Sequence, residues 1–519
     1  MKKLSSLEYL RLNKITRFFY NILMFFVGIP KWFLNLFKKI WKGIKKLGIG
    51  IKNEVVDVWV TFKDGDWKTR VSYVIMGFGS IARGQVLRGL LFLAFEIIFV
   101  GYMVLYGVFW LSQFGTLGSV GPHEEYSEIL DTYVTTYGDN SFKILLYGLL
   151  TIIFILAFIY TWRLNVKQNK LSEEIIKSGK KIRSGKEDLQ SLLDDQFHKT
   201  LLALPLTGIV IFTVIPIIFM ILVAFTNYSG KFDGYYNNLF TWVGLDNFNK
   251  LFSWGDGGNA SFSATFGEIL SWTMMWAVFA TFSNYFLGMI VAMLINKKGI
   301  KIKKFWRGVL VLTIAIPQFV SLLYVNQLFQ KNGLINGLLL RWGVVDFEHL
   351  IDFWGDHGRL MVVLINIWIG IPYLMLIATG ILMNIPQDLY ESAKIDGANA
   401  FQQYTRITLP YMLFVTGPYL LTSFIGNINN FNVIFLLTGG GPTDPKLLVT
   451  MVDSLGEGTS AGAGHTDLLI TWLFNLTTGQ AAWYNIAAVI GIMIFVVVAV
   501  LSLIVYNIMP STRNEEDYQ

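Results

Sequence analysis

Eight stretches of this 519-residue chain run for about 20 residues or more with almost no charge: 88–112, 142–162, 201–225, 269–295, 308–330, 359–383, 411–437 and 483–509. At about 1.5 Å of rise per residue, each can cross the ~30 Å hydrocarbon core of a bilayer. Lipid offers a peptide group no hydrogen-bond partner, so such a segment has to satisfy its own backbone as a helix. The expected fold class is all-α, a polytopic membrane protein with about eight transmembrane helices. The composition agrees: 54% of the residues are hydrophobic and 15% charged, too apolar for a soluble chain of this length.

Charge sets the expected orientation. Sixteen of the 42 Lys and Arg residues precede residue 88, and nine more lie between 163 and 200. Loop 296–307 carries six basic residues and no acid, whereas 113–141 carries five acids and no Lys or Arg. The positive-inside bias then makes 163–200, 296–307 and 384–410 cytoplasmic and 113–141, 226–268, 331–358 and 438–482 external. An even number of spans returns the C-terminal PSTRNEEDYQ to the cytoplasm, so a multi-pass cell-membrane protein with both termini cytoplasmic is expected. Orientation accounts for the net charge of +7 better than a nucleic-acid partner does. The absence of Cys excludes disulfides and thiolate metal sites. His198, His357 and His465 lack metal-ligand spacing, so no metal site is expected. No removable signal peptide is expected at the basic N-terminus.

Residues 18–37 could span or lie on the membrane. Spanning would strand Lys2, Lys3, Arg11, Lys14 and Arg17 outside. From Ile29 to Leu47, Trp32, Phe33, Leu36, Ile40 and Ile44 follow helical spacing, with Lys31, Lys38, Lys42, Lys45 and Lys46 mostly opposite, which suits an interfacial amphipathic helix. Residues 1–87 are therefore a basic cytoplasmic or interfacial region. Residues 88–200 hold two additional spans and a charged linker, 201–510 form a six-helix core, and 511–519 are a cytoplasmic tail. Within the linker, GKK and GKE lack phosphate-loop spacing. TGGGP at 438–442 reads as a helix stop and turn. Glu96, inside the first span, is expected to be a hydrogen-bonded structural acid rather than a relay.

The loop YESAKIDGANAFQQYTRITLP, 390–410, reads as two short helices joined at Gly397, which can end the first in a left-handed conformation. Pro386 suits an early helical position, and Asp388 and Glu391 place negative charge in the first turns. Such a projecting knuckle, with Leu389 and Ala393 on one face and Phe401 and Tyr404 on another, suits contact with a partner.

Glu391-Ser392-Ala393, Asp396-Gly397-Ala398 and Ile407-Thr408-Leu409-Pro410 resemble the EAA loop of binding-protein-dependent ABC importers, with Ser392 in place of the usual first Ala. That resemblance implies that Glu391, Ser392, Ala393, Asp396, Gly397, Leu409 and Pro410 couple to an ATPase subunit. It extends over residues 200–510, through NIWIGIPYLMLIATGILMNIPQDLYESAKIDGA, NINNFNVIFLLTGGGP and AGHTDLLITWLF, and is similar to the larger, eight-span membrane subunit of maltose/maltodextrin importers. The large external domain of well-known relatives is missing between the third and fourth spans, where only about 40 residues stand.

Two polar stripes lie in the sixth and seventh spans: Asn366, Gly370 and Tyr373, then Ser423, Gly426, Asn427 and Asn430. At i, i+4 and i+7 each set shares a helix face, and mid-membrane amides have to face protein or a wet cavity. Amides, a hydroxyl and an aromatic ring suit a neutral sugar; they equally suit helix-to-helix adhesion. The resemblance implies sugar contact at Asn366, Ile369, Gly370, Tyr373, Ser423, Gly426, Asn427 and Asn430, although an aromatic is expected where Gly426 stands. It implies a non-catalytic permease subunit that carries oligosaccharide by alternating access. Its partners would be a second homologous permease, two ATP-binding cassettes and a solute-binding protein. This chain would bind no cofactor itself, with ATP and Mg used by the partner ATPase. A stand-alone secondary transporter or a membrane-embedded glycosyl-transferring enzyme is the rival class. The first should show internal repeats and a partnered intramembrane charge, the second an acidic pair, and neither is evident.

Overall fold

The structure, a computed structural model, describes residues 14–234, 239–252, 262–297, 299–355, 357–447, 450–452, 458–460, 462–479 and 482–508. The C-terminal tail and residues 1–13 lie outside the described residues. Among those described, seven helices are long and apolar enough to cross a membrane, and a bent pair makes an eighth. The fold is all-α with two small β-hairpins, one of them pairing His123–Ser127 with Thr132–Thr136.

In chain order the principal helices are α1 (Lys14–Asp64), α2 (Val86–Phe114), α3 (Ser141–Lys177), α4 (Phe197–Val223), α5 (Phe262–Asn296) and α6 (Lys303–Ala315). They continue as α7 (Gln318–Leu328), α8 (Gly358–Leu382), α9 (Gln387–Ile395), α10 (residues 400–428), α11 (Phe431–Thr438), α12 (Leu469–Thr478) and α13 (Tyr484–Ile508). The chain divides into two compact units: Met1–Ser112 with Gly148–Ile209, and Gln113–Tyr147 with Val210–Gln519.

In the first unit, side chains that cannot be left unpaired in a low-dielectric interior are paired with one another. The Arg83 guanidinium, 1% exposed, donates to Asp66 Oδ1 at 2.5 Å, Asn169 Oδ1 at 2.7 Å and Thr69 Oγ1 at 2.7 Å. Glu173 Oε2 accepts from Thr69 Oγ1 at 2.9 Å, and Asn165 donates to Ser72 O at 2.8 Å. Removing one partner from such a network leaves a buried charge uncompensated. Glu96, half-buried, accepts the Met76 N–H at 2.8 Å: the acid of the first span is a structural hydrogen-bond acceptor, as its isolation from other charges suggests. Helix α1 is one uninterrupted helix, longer at both ends than the 29–47 pattern predicts.

In the second unit, α5 and α8 run parallel in close contact. A Cβ on Gly370 would stand 2.3–2.7 Å from the Asn284 side chain, and one on Gly288 would stand 2.7 Å from Leu374 Cβ. Gly370 is therefore small because the Asn284 side chain lies against it, and Gly288 because the α8 backbone at Leu374 and Met375 does. One hydrophobic cluster gathers Trp272, Trp276, Leu322, Val362, Ile434 and Leu468, and a second gathers Tyr285, Met289, Leu374, Met375 and Met412.

Two spans depart from the straight helices expected. The stretch 308–330 is α6 and α7, bent by 89°. Pro317 has no N–H to continue the ladder and drives Ile316 out of the helical region, to ψ 126°. The stretch 411–437 begins earlier, at Ala400, and breaks at Asn429 and Asn430, where α11 starts anew. Asn430 thus lies beyond the end of α10 and does not share its stripe with Ser423 and Asn427.

Candidate functional site

The knuckle is built by local hydrogen bonds. Helix α9 ends as expected at Gly397, φ +76°, with Ala398 N donating to Ala393 O at 2.8 Å. A capping box at Asn399 and Gln402 starts the next helix. Tyr390 OH and Thr408 Oγ1, 2.9 Å apart, pin α9 to it. The second helix of the knuckle is not a separate short element: it widens into a π turn at Tyr404–Thr408 and runs straight on as the membrane helix. One helix, α10, thus carries both the second half of the knuckle and the Ser423–Asn427 part of the polar stripe, while Glu391 stands on α9. Glu391, Ser392, Asp396, Gly397 and Pro410 are exposed, and Ala393 and Leu409 half-buried. Beside the acids, Ile395 is 86% and Phe401 73% exposed, an apolar ridge on the knuckle's surface.

The stripe residues divide into two groups. Asn427 is engaged by protein: its Nδ2 donates to Thr281 Oγ1 at 3.0 Å, and its carbonyl accepts the Trp276 indole N–H at 3.0 Å. Asn430 donates to Asn427 Oδ1 at 3.2 Å and caps α11 by accepting from Val433 N at 3.3 Å. These two join α5, α10 and α11. Asn366 is buried, and its Nδ2 makes no hydrogen bond; nor does Asn284 Oδ1, one turn further along the α5–α8 seam. A buried donor and a buried acceptor so placed are costly unless something pairs with them. Ser423 is half-buried beside the Tyr419 side chain, while Gly426 is exposed with open space at its Cα and Tyr373 is half exposed.

At the bend between α6 and α7, a cleft of about 410 Å³ opens against α8, within the usual range of small-ligand sites, ~300–1,000 Å³. Ile369, Gly370 and Tyr373 line it together with Trp368, Gln318 and Ser321. Trp368, Gln318 and Ser321 escape a reading by stripes, because the cleft exists only where Pro317 turns the chain. The helix-breaking proline was the available signal. The lining holds no charged side chain, so the cleft suits hydroxyls and apolar ring faces rather than an anion.

Beyond α11 the glycines act as the stop that TGGGP predicts: Gly439 has φ +60° and Gly440 φ +89°. Gly440 lies so close to Asp467 that a Cβ would sit 1.9 Å from Oδ1. Asp467 accepts from Gly464 N at 2.8 Å and from Asn475 Nδ2 at 3.3 Å. Burial pushes its carboxyl up to about 6, against the lowering effect of these bonds. His465 lies against Asp444 at 3.5 Å, and Arg359 donates to Glu268 and to His465 O, both at 2.9 Å.

A family model described as "Binding-protein-dependent transport system inner membrane component" matches residues 284–514. The maltodextrin transport system permease protein MdxF of Bacillus subtilis is 31% identical over 460 residues, covering 85% of this chain and 95% of that one. The maltodextrin transport system permease protein MalC of Streptococcus pneumoniae is 30% identical over 85% of this chain and 95% of its own length. The galactooligosaccharides transport system permease protein GanP of Bacillus subtilis is 31% identical over 83% of this chain and 94% of its own length. Similarity of this extent, over a chain with this many spans, makes the protein a multi-pass membrane component of a transport system: it belongs to the binding-protein-dependent transport system inner membrane component family.

Proposed function

We propose that this chain is the permease subunit of an ATP-driven importer of neutral oligosaccharides of the maltodextrin class, coupled to its ATPase through the knuckle at 390–410. The carrying observation is that α10 is one helix from Phe401, in the second half of the knuckle, to the polar layer at Ser423 and Asn427, while Glu391 stands on α9, pinned to α10 by Tyr390 and Thr408. A displacement of α9 is passed to α10 through the Gly397 turn and the Tyr390–Thr408 contact, and from there one helix carries it to the sugar path.

In this reading the knuckle faces the cytoplasm, as the basic loop at 297–307 favours. Ile395 and Phe401 seat in an apolar cleft of an ATP-binding subunit, and Glu391 makes a charge-assisted contact with a basic residue there. The other partners are a second permease subunit, which completes the path, a second ATP-binding subunit and an external solute-binding protein. ATP and Mg belong to the ATPase; this chain hydrolyses nothing. Tyr373 and Trp368 cover apolar sugar faces, and Gln318, Ser321, Ser423 and Asn366 exchange hydrogen bonds with hydroxyls. Asn427 and Asn430 frame the site by holding α5, α10 and α11 together. Alternating access follows when ATP binding favours the outward-open arrangement and hydrolysis returns the path inward. MdxF and MalC favour maltodextrins, and the uncharged cleft supports a neutral sugar.

Cross-linking from a cysteine placed at Glu391 in the assembled transporter tests the reading. Capture of an ATP-binding subunit is expected; labelling of Glu391→Cys by an external impermeant reagent in intact cells would overturn it.

A further inference from the structure

Helix α1 is clasped to α3 near its C-terminal end. Arg163 Nε donates to Glu54 Oε2 at 2.6 Å and Arg163 Nη2 to Asp57 Oδ2 at 2.5 Å, while Lys170 Nζ donates to Asp57 Oδ1 at 2.5 Å. Counting along α3 gives the depth of this clasp. Arg163 follows Ser141, the first residue of α3, by about 22 residues, on the order of 33 Å. That is close to the ~30 Å thickness of a bilayer's hydrocarbon. The clasp therefore lies where acyl chains give way to headgroups, and α1 approaches it at that level.

Before the clasp, α1 has two faces. Trp41, Ile44, Leu47, Ile51 and Val55 fall on one side at helical spacing, each more than half exposed. Lys38, Lys42 and Lys46 fall on the other, and Lys45 and Lys52 lie at its border beside Trp41, all of them exposed. A helix standing in water would leave the first face uncovered, and one crossing the bilayer would bury the second. Only the plane of the membrane surface satisfies both. The acids nearest the lysines, Glu54 and Asp57, are already paired with α3. The basic face thus keeps its charge for negatively charged headgroups.

We propose that residues 38–60 lie in the surface of an anionic lipid leaflet, apolar face down, holding α3 at the headgroup layer. The proposal does not depend on what the chain transports.

The chain has no Cys, so a single cysteine can carry a spin label on the full-length protein in nanodiscs of phosphatidylcholine with or without phosphatidylglycerol. With phosphatidylglycerol, labels on Leu47→Cys and Ile51→Cys should collide with oxygen and be shielded from a water-soluble nickel chelate, while Lys46→Cys meets the chelate. In phosphatidylcholine alone, or after joint substitution of Lys42, Lys45 and Lys52 by Gln, chelate access at Leu47→Cys should rise at least about fivefold. Three results would overturn the proposal. Equal chelate access on both faces would indicate water or a protein partner. Shielding of both faces would indicate a span. Depth unchanged by phosphatidylglycerol and by the Gln substitutions would indicate that lipid charge plays no part.

Discussion

Asp467 titrates against the usual direction for a carboxylate. Its pKa rises from the ordinary 3.8 to about 6 because burial penalises the charged form. The folded protein therefore holds a proton that the unfolded chain releases between pH 3.8 and about 6. Stability from this group is largest below pH 3.8 and is lost as pH rises through 6, by about 3 kcal/mol in all. Asp467→Asn should raise the thermal midpoint of the purified protein at pH 8, and the difference should shrink by pH 5. At the seam, Gly370→Ala should cost about 1–3 kcal/mol, read as a lower midpoint, because the added methyl meets the buried Asn284 amide. The part played by Gly370 was half legible: its place in a polar stripe can be read from spacing, but the neighbour that requires a glycine lies 86 residues earlier in the chain. Asp467 carried no local signal at all, since its burial comes from Gly440 and Asn475 folding over it.

Among elements, the knuckle has the most exacting geometry. Gly397→Val puts a β-branched residue at φ +76°, a conformation that costs about 1–3 kcal/mol. Transport should fall steeply while the purified subunit keeps its helix content, because the strain is confined to the turn. The knuckle was readable because capping residues and a left-handed glycine act over a few positions. Its continuity with α10 was not, since Pro410 reads as the start of a new helix. Proline is tolerated there because the π turn at Tyr404–Thr408 precedes it and Leu409-Pro410 opens the next α-helical segment. The bend in the fifth span follows the same chemistry with the opposite outcome: Pro317 leaves Ile316 outside the helical region, and the span turns by 89°.

For the whole molecule, the eight spans were legible from hydropathy because length and apolarity are properties of each segment alone. Which polar residues line a passage and which fasten helices depends on how segments meet, and spacing cannot separate the two. Uptake assays in reconstituted transporter can. Tyr373→Ala should weaken apparent sugar affinity about tenfold with the thermal midpoint unchanged, as expected for a ring that covers a sugar face. Asn427→Ala should lower the midpoint first, because it unties Thr281 and Asn430 together.

The two tight glycine approaches between α5 and α8 are about one turn apart and stack Gly288 on Leu374 and Gly370 on Asn284. Neither helix can slide past the other without driving side chains into backbone, so the pair stands as a single mast. Rearrangement of the passage has to be accommodated around that mast, by the segments that lean on it.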